Sequence, residues 1–252
     1  MLIYNIFSGS DDFRLSILTL VAILCVIFSA MILHELAHGA VALANGDYTA
    51  KMKGRLSLNP IKHIDPLGFV MMLLVGFGWA KPVPVDSRNF RNYKKGMITT
   101  SLAGVTVNFI LALISLAGVA IVTAIFKSAG VIIAINNSVY IIGATTSVTY
   151  AFQFFYYLFV YGVLINMTLM IFNLIPVYPL DGFRVVETLV SPNNAYVRFN
   201  YRYGNYTLIA LILLSVVIGY IGNFIGVELD LFSSFQDALI KLINKVMLGV
   251  LG

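Results

Sequence analysis

The chain has 252 residues, 60% hydrophobic and only 11% charged, against roughly 25% charged in soluble domains, so an ordinary soluble enzyme and a disordered segment are both excluded. The formal net charge of +5 does not mark a nucleic-acid binder, because the Lys and Arg residues gather in short loops between apolar runs instead of forming one patch with interleaved aromatics. A single cysteine rules out an intrachain disulfide framework.

The first apolar run, Leu15 to Leu33, is nineteen residues without a charge. It is long enough to span a bilayer and lacks the basic n-region of a signal peptide. It leads directly into His34-Glu35-Leu36-Ala37-His38-Gly39, after which the chain stays uncharged through Gly46. Two histidines four apart lie about 40° from each other around a helix and about 6 Å apart along it, so both rings reach one metal ion. Glu35 is no ligand in this spacing. It stands beside the metal, where it takes a proton from water held there. Ionisable groups buried in an apolar span are costly without a partner, so the cluster reads as a functional site. Cys25 falls half a turn from His34, on the opposite face, as a small apolar filler.

Basic loops follow. Lys51, Lys53, Arg55 and Lys62 precede the next apolar run, and Lys81, Arg88, Arg91, Lys94 and Lys95 follow it, which places both loops on the cytoplasmic side. Thr49 to Leu58 alternates polar and apolar side chains, the pattern of a short hairpin strand lying against protein or a cavity. Leu67 to Ala80 has fourteen residues and three glycines, too few for the roughly 20 of a span, so it should dip in and return. Gly96 to Phe126 is the second crossing. Lys127 to Tyr150, broken by Gly130, Asn136, Asn137 and Gly143, reads as an outer element that does not cross or crosses twice. Ala151 to Val177 is the third crossing. Tyr196 to Tyr206 holds four tyrosines, Phe199 and two arginines, an interfacial belt. Tyr206 to Ile225 returns outward, and Phe232 to Leu251 is amphipathic and suited to the membrane surface. The expected fold is an all-α polytopic membrane protein: one domain over 1–252, its core at about 15–190, with a transmembrane and an amphipathic helix at about 206–252.

A catalytic zinc site takes three protein ligands and a water, and the third must come from eleven acidic residues and one further histidine. Most acids sit in loops where solvated pairing explains them. Asp181 follows an uncharged span inside Asn173-Leu174-Ile175-Pro176-Val177-Tyr178-Pro179-Leu180-Asp181-Gly182, where two prolines unwind the helix, and such unwinding at membrane depth lines protein or a cavity. Crossings one and three run in the same direction, which puts His38 and Asp181 at one depth. His63, in a Lys-rich loop, is the competing ligand.

With these residues together, the chain resembles the site-2 protease family of intramembrane zinc metalloproteases. His34 to His38 and the N-x-x-P-x-x-P-L-D-G run from Asn173 to Gly182 carry the resemblance. Gly54 to Pro60, Asp65 to Gly68 and Trp79 to Pro84 look like loop signatures of the compact prokaryotic branch without a PDZ domain. Ala103-Gly104-Val105-Thr106-Val107-Asn108 departs from that branch's A-G-P-x-x-N at Val105, the position of a proline that would kink the second crossing locally. The resemblance implies one Zn2+ per chain on His34, His38 and Asp181, Glu35 as acid and base, and Asn173 holding the substrate peptide or its oxyanion. It implies a multi-pass protein of a prokaryotic cell membrane, cutting a membrane-protein substrate within or near a transmembrane helix, with its site toward the cytoplasm. The strand expected at Thr49 to Leu58 would pair with an unwound substrate. The alternative is a polytopic metal-ion or proton-coupled transporter using the same ligands; Glu35 separates the two, since a carrier has no need of a base there.

Overall fold

A computed structural model describes residues 13–75, 78–135, 138–141, 146–191, 193–225 and 231–252. The chain is mostly helical: α1 (Phe13–Ala44), α2 (Thr49–Met52), α3 (Pro66–Val75), α4 (Tyr93–Ser128), β1 (Ile132–Ile135), β2 (Ser138–Ile141), α5 (Thr146–Leu174), α6 (Asp181–Leu189), α7 (Ala195–Ile225) and α8 (Leu231–Leu251). Among the described residues three helices are long and apolar enough to cross a membrane, within Phe13–Ala44, Tyr93–Ser128 and Ser147–Leu174. They form the centre of the molecule, α4 lying against both α1 and α5.

Small residues allow that approach. A Cβ on Gly118 would meet the Phe159 ring and one on Gly162 would meet the Ser115 hydroxyl, so α4 and α5 pack close, as helices without a hydrophobic driving force between them must. Helix α4 starts where the Asn92 side chain accepts the Lys95 amide and runs on without a break through Val105.

Three expectations need correction or refinement. No strand forms over Thr49 to Leu58. The Asp47 carboxylate accepts the Thr49 amide at 3.0 Å, the Met52 and Lys53 amides bond back to Tyr48 and Thr49, and Gly54 closes the turn at φ 61°, so one helical turn satisfies the backbone locally. The hairpin lies elsewhere, in the segment read as an outer element: β1 and β2 pair antiparallel with Ile132 opposite Ile141, and 136–137 and 142–145 lie outside the described residues. Helix α8 does not stand apart on a surface. Its Leu239, Ile243 and Met247 are buried with Val119 of α4 and Val163 of α5, and Lys127 donates to the carbonyls of Val250 and Leu251, as a cation does at a helix C-terminus.

Helix α3 leaves and comes back. An antiparallel bridge joins Ile64 to Ala80, and the Lys81 amide donates to His63 O at 2.8 Å, so the two ends of the run 65–79 meet. Phe69 stacks on Phe28 of α1. From Lys81 the chain runs extended across α1, and Asp47 anchors it. Besides the amide and hydroxyl of Thr49, this wholly buried carboxylate accepts from the Asp86 amide at 2.7 Å and from Asn89 Nδ2 at 2.9 Å. Burial pushes the Asp47 carboxyl up, but the bonds from Thr49, Asn89 and Asp86 outweigh it and hold it below the usual carboxylate range.

A group whose pKa is lower folded than unfolded contributes stability above its unfolded value, about 3.9, and loses it as pH falls through the folded value. Asp47→Asn turns an amide donor toward the Asp86 amide and should cost about 1 to 3 kcal/mol. Thermal unfolding in detergent at pH 7 should show this difference, and in acid, where Asp47 is itself protonated, the gap between wild type and variant should close.

Candidate metal centre

Helix α1 presents His34 and His38, both buried, on one face. Asp181 opens α6. The preceding loop, Ile175 to Leu180, turns the chain back so tightly that a Cβ on Gly182 would lie 2.2 Å from Leu174 O, which explains a glycine after the aspartate. Helix α7 holds this loop from behind. Phe183 is fully buried among Tyr178, Tyr196 and Tyr201, the Tyr178 amide donates to Asn200 Oδ1 at 3.1 Å, and Tyr196 donates its hydroxyl to Pro176 O.

The three groups converge. His34 Nε2 lies 3.3 Å and His38 Nε2 3.2 Å from Asp181 Oδ2, and the two Nε2 atoms are 3.0 Å apart. Thr100 O of α4 can only accept, so His38 Nδ1, 2.7 Å away, must carry the proton there, which leaves a lone pair on Nε2 of the neutral ring. His34 Nδ1 faces Asn108 Oδ1 at 2.5 Å. Asp181 Oδ2 is buried and has no hydrogen-bond partner. A single proton can sit between two of these atoms; a dication serves all three. A tetrahedron with zinc arms of about 2.0 to 2.1 Å has edges of roughly 3.3 to 3.4 Å, close to the separations found, so the residues fit a zinc ion with one corner left open.

Glu35 is half-buried and points to the extended segment: its Oε2 accepts the Val83 amide at 2.7 Å. Gly39, one turn on, has no room for a Cβ against Leu56 and Val83, so the segment rests directly on α1. Of the other residues singled out in the sequence, His63 is turned away from the cluster, its Nε2 on Ser57 O at 2.7 Å, and it is not among the residues that could share an ion. Asn173 lies on the last turn of α5 and gives an amide hydrogen to Leu169 O. Sequence reasoning did not find Thr100, Val83 or the role of Asn108. For the first two it had no signal, since backbone groups do the work. Asn108 and Asn166, amides inside apolar runs, were visible as polar groups at membrane depth.

The sequence pattern of Peptidase family M50 matches residues 22–218. The chain belongs to peptidase family M50. These are the site-2 proteases that its motifs resemble, and with three apolar helices the M50 chain is an integral membrane protein. The Bacillus subtilis (strain 168) protein named "Putative zinc metalloprotease YwhC" is 38% identical over 160 residues, 64% of this chain and 65% of that protein, so the match spans under two thirds of the relative. No solved structure matches the chain.

The His34 ring lies flat on α4 at Gly104, where a Cβ would fall 2.4 to 2.6 Å from three ring atoms. Gly104→Ala should therefore displace the ring and weaken zinc binding about 10-fold or more while α4 still forms, as read by zinc content after dialysis against a graded chelator.

Proposed function

We propose that the protein is an intramembrane zinc metalloendopeptidase that hydrolyses a peptide bond within or near a transmembrane segment of a membrane-protein substrate. The observation that carries this reading is the meeting of three potential ligand atoms, His34 Nε2, His38 Nε2 and Asp181 Oδ2, beside a glutamate whose carboxylate is held by a backbone amide. His34, His38 and Asp181 would hold the zinc. Zinc in such a site acts as a Lewis acid on the scissile carbonyl and lowers the pKa of water to about 7.

Glu35 works from the neighbouring side. With Oε2 fixed by Val83 N–H, its other oxygen is oriented to take a proton from the attacking water and deliver it to the leaving amine. We assign to Asn173 the task of holding the substrate peptide or its oxyanion: it sits just before the proline-broken loop that ends in Asp181, and its Nδ2 gives one hydrogen to Leu169 O, leaving a second for a ligand. A substrate helix satisfies its own amides, so it must unwind before its backbone can reach these groups. We assign the site to the cytoplasmic side of a prokaryotic cell membrane; the basic loops around α3 support the side, and the meeting of Ile64 with Ala80 supports a segment that dips in and returns.

Glu35→Gln keeps shape and both histidines and removes only the base. Turnover of a membrane-embedded substrate carrying a helix-destabilising residue should fall roughly 100- to 10,000-fold, about 3 to 5 kcal/mol at the transition state, with zinc retained. The cut site is read by mass spectrometry. Equal cleavage by wild type and variant would remove Glu35 from the mechanism, and no peptide product from either, with metal flux across vesicles instead, would turn the reading to a carrier.

A further inference from the structure

Behind His34 lies a chain of side-chain amides that the zinc reading does not use. Asn108 of α4 is completely buried and Asn166 of α5 nearly so. Asn166 Nδ2 is 2.8 Å from Gly162 O, Asn108 Nδ2 is 2.9 Å from Asn166 Oδ1, and Asn108 Oδ1 is 2.5 Å from His34 Nδ1.

The direction of this chain is not free. Gly162 O is a backbone carbonyl and can only accept, so the amide nitrogen of Asn166 must face it. Asn166 then turns its oxygen to Asn108, which must answer with its own amide nitrogen and turn its oxygen to His34. Flipping either amide would set donor against donor or acceptor against acceptor inside a protein, at a cost of about 1 to 3 kcal/mol for each group left unsatisfied. His34 Nδ1 is therefore obliged to donate, and the lone pair of the neutral ring falls on Nε2, facing Asp181 and His38.

We infer that Asn108 and Asn166 are positioning residues: a one-way relay, started by the Gly162 carbonyl, that locks His34 in its Nδ1–H tautomer and holds its ring ready for the metal. For His38 the same task is done in one step by Thr100 O. The difference has a geometric reason. The partner of His34 is a side chain, and an amide side chain can present either end, so a second amide and a carbonyl are needed to fix its sense. The packing that permits the relay is that of α4 on α5, where Gly162 meets Ser115 without room for a Cβ.

The inference rests on the reading of His34 as a zinc ligand, but its first test needs no metal. In metal-free protein labelled with 15N-histidine and held at alkaline pH, where the ring is neutral, nitrogen NMR separates protonated from unprotonated ring nitrogens, and the His34 signals are those lost in His34→Gln. The wild type should show His34 as the Nδ1–H form. Asn108→Leu, which removes the acceptor, should give mixed tautomers and zinc binding weaker by about 10- to 100-fold in competition with a chelator. Asn166→Leu, which only frees Asn108 to flip, should do the same to a smaller degree. Asn108→Asp keeps an oxygen on His34 Nδ1 but sets its other oxygen against Asn166 Oδ1, so it should restore the tautomer and most of the affinity while thermal stability falls. A merely structural role would lower thermal stability in these variants and leave the tautomer alone. His34 found as Nε2–H in the wild type would overturn the relay even if every variant fails to fold, and so would unchanged zinc affinity in a folded Asn108→Leu. Wild type that shows the Nδ1–H form but binds no zinc would keep the relay and overturn the metal reading instead.

Discussion

Three acceptors forced together in a buried place are the constraint on which the rest of this structure depends. Asp181 Oδ2 has no hydrogen-bond donor, and His38 Nε2 has given up its proton because Thr100 O requires one on the other side of the ring. Left without a cation, such a group would splay apart or draw in protons. It stays together because each member is held from behind. The Pro-broken loop and α6 aim Asp181, with Phe183 and three tyrosines behind them, and α4 offers a carbonyl to one ring and a glycine surface to the other.

Helix α4 is thus the organiser, although it supplies no ligand. His38 and Asp181 are separated by 142 intervening residues in sequence, and α4 touches the elements that carry both. Its small and polar positions face the site: Thr100, Gly104 and Asn108 follow one another at intervals of four, one stripe along the helix. Thr100 O serves His38, Gly104 admits the His34 ring and Asn108 binds that ring at its edge. Proline is usual one position after Gly104 in the branch that the chain resembles. Its absence here leaves the helix continuous, and the stripe keeps its register without it.

The parts legible in the sequence were those fixed by covalent spacing or by the cost of charge in an apolar medium. The interval of four between His34 and His38, the odd position of Asp181 after an uncharged span, and the apolar helices themselves needed no tertiary information. Where tertiary contacts decide, the sequence was ambiguous. A period of two over Thr49 to Leu58 is too short to exclude one helical turn, and the Asp47 side chain, lying outside the pattern, nucleates that turn through Thr49. The apolar stripe of α8 was visible, but a stripe suits a lipid surface and a protein groove alike; Val119 and Val163 settle it from other helices. The β-hairpin at Ile132 to Ile141 has no alternating pattern to reveal it, since its strands are apolar nearly throughout.

The extended segment from Lys81 to Asp86 ties Glu35 to the loops. Pro82 and Pro84 have no amide hydrogen, so the donors available there are few and their partners are specific. Lys81 gives its amide to His63 O, Val83 to Glu35 and Asp86 to Asp47. The first and last of these bonds fix the ends of the segment, and the middle one fixes the carboxylate. Arg55 adds a bond to Lys81 O. A helix alone sets where the Glu35 side chain begins but leaves its rotamers open; the segment closes that freedom by presenting a single donor in place. The orientation of Glu35 is therefore a property of the connection between α1 and α4, with Asp47 as its anchor, and not of the His-Glu-x-x-His helix by itself.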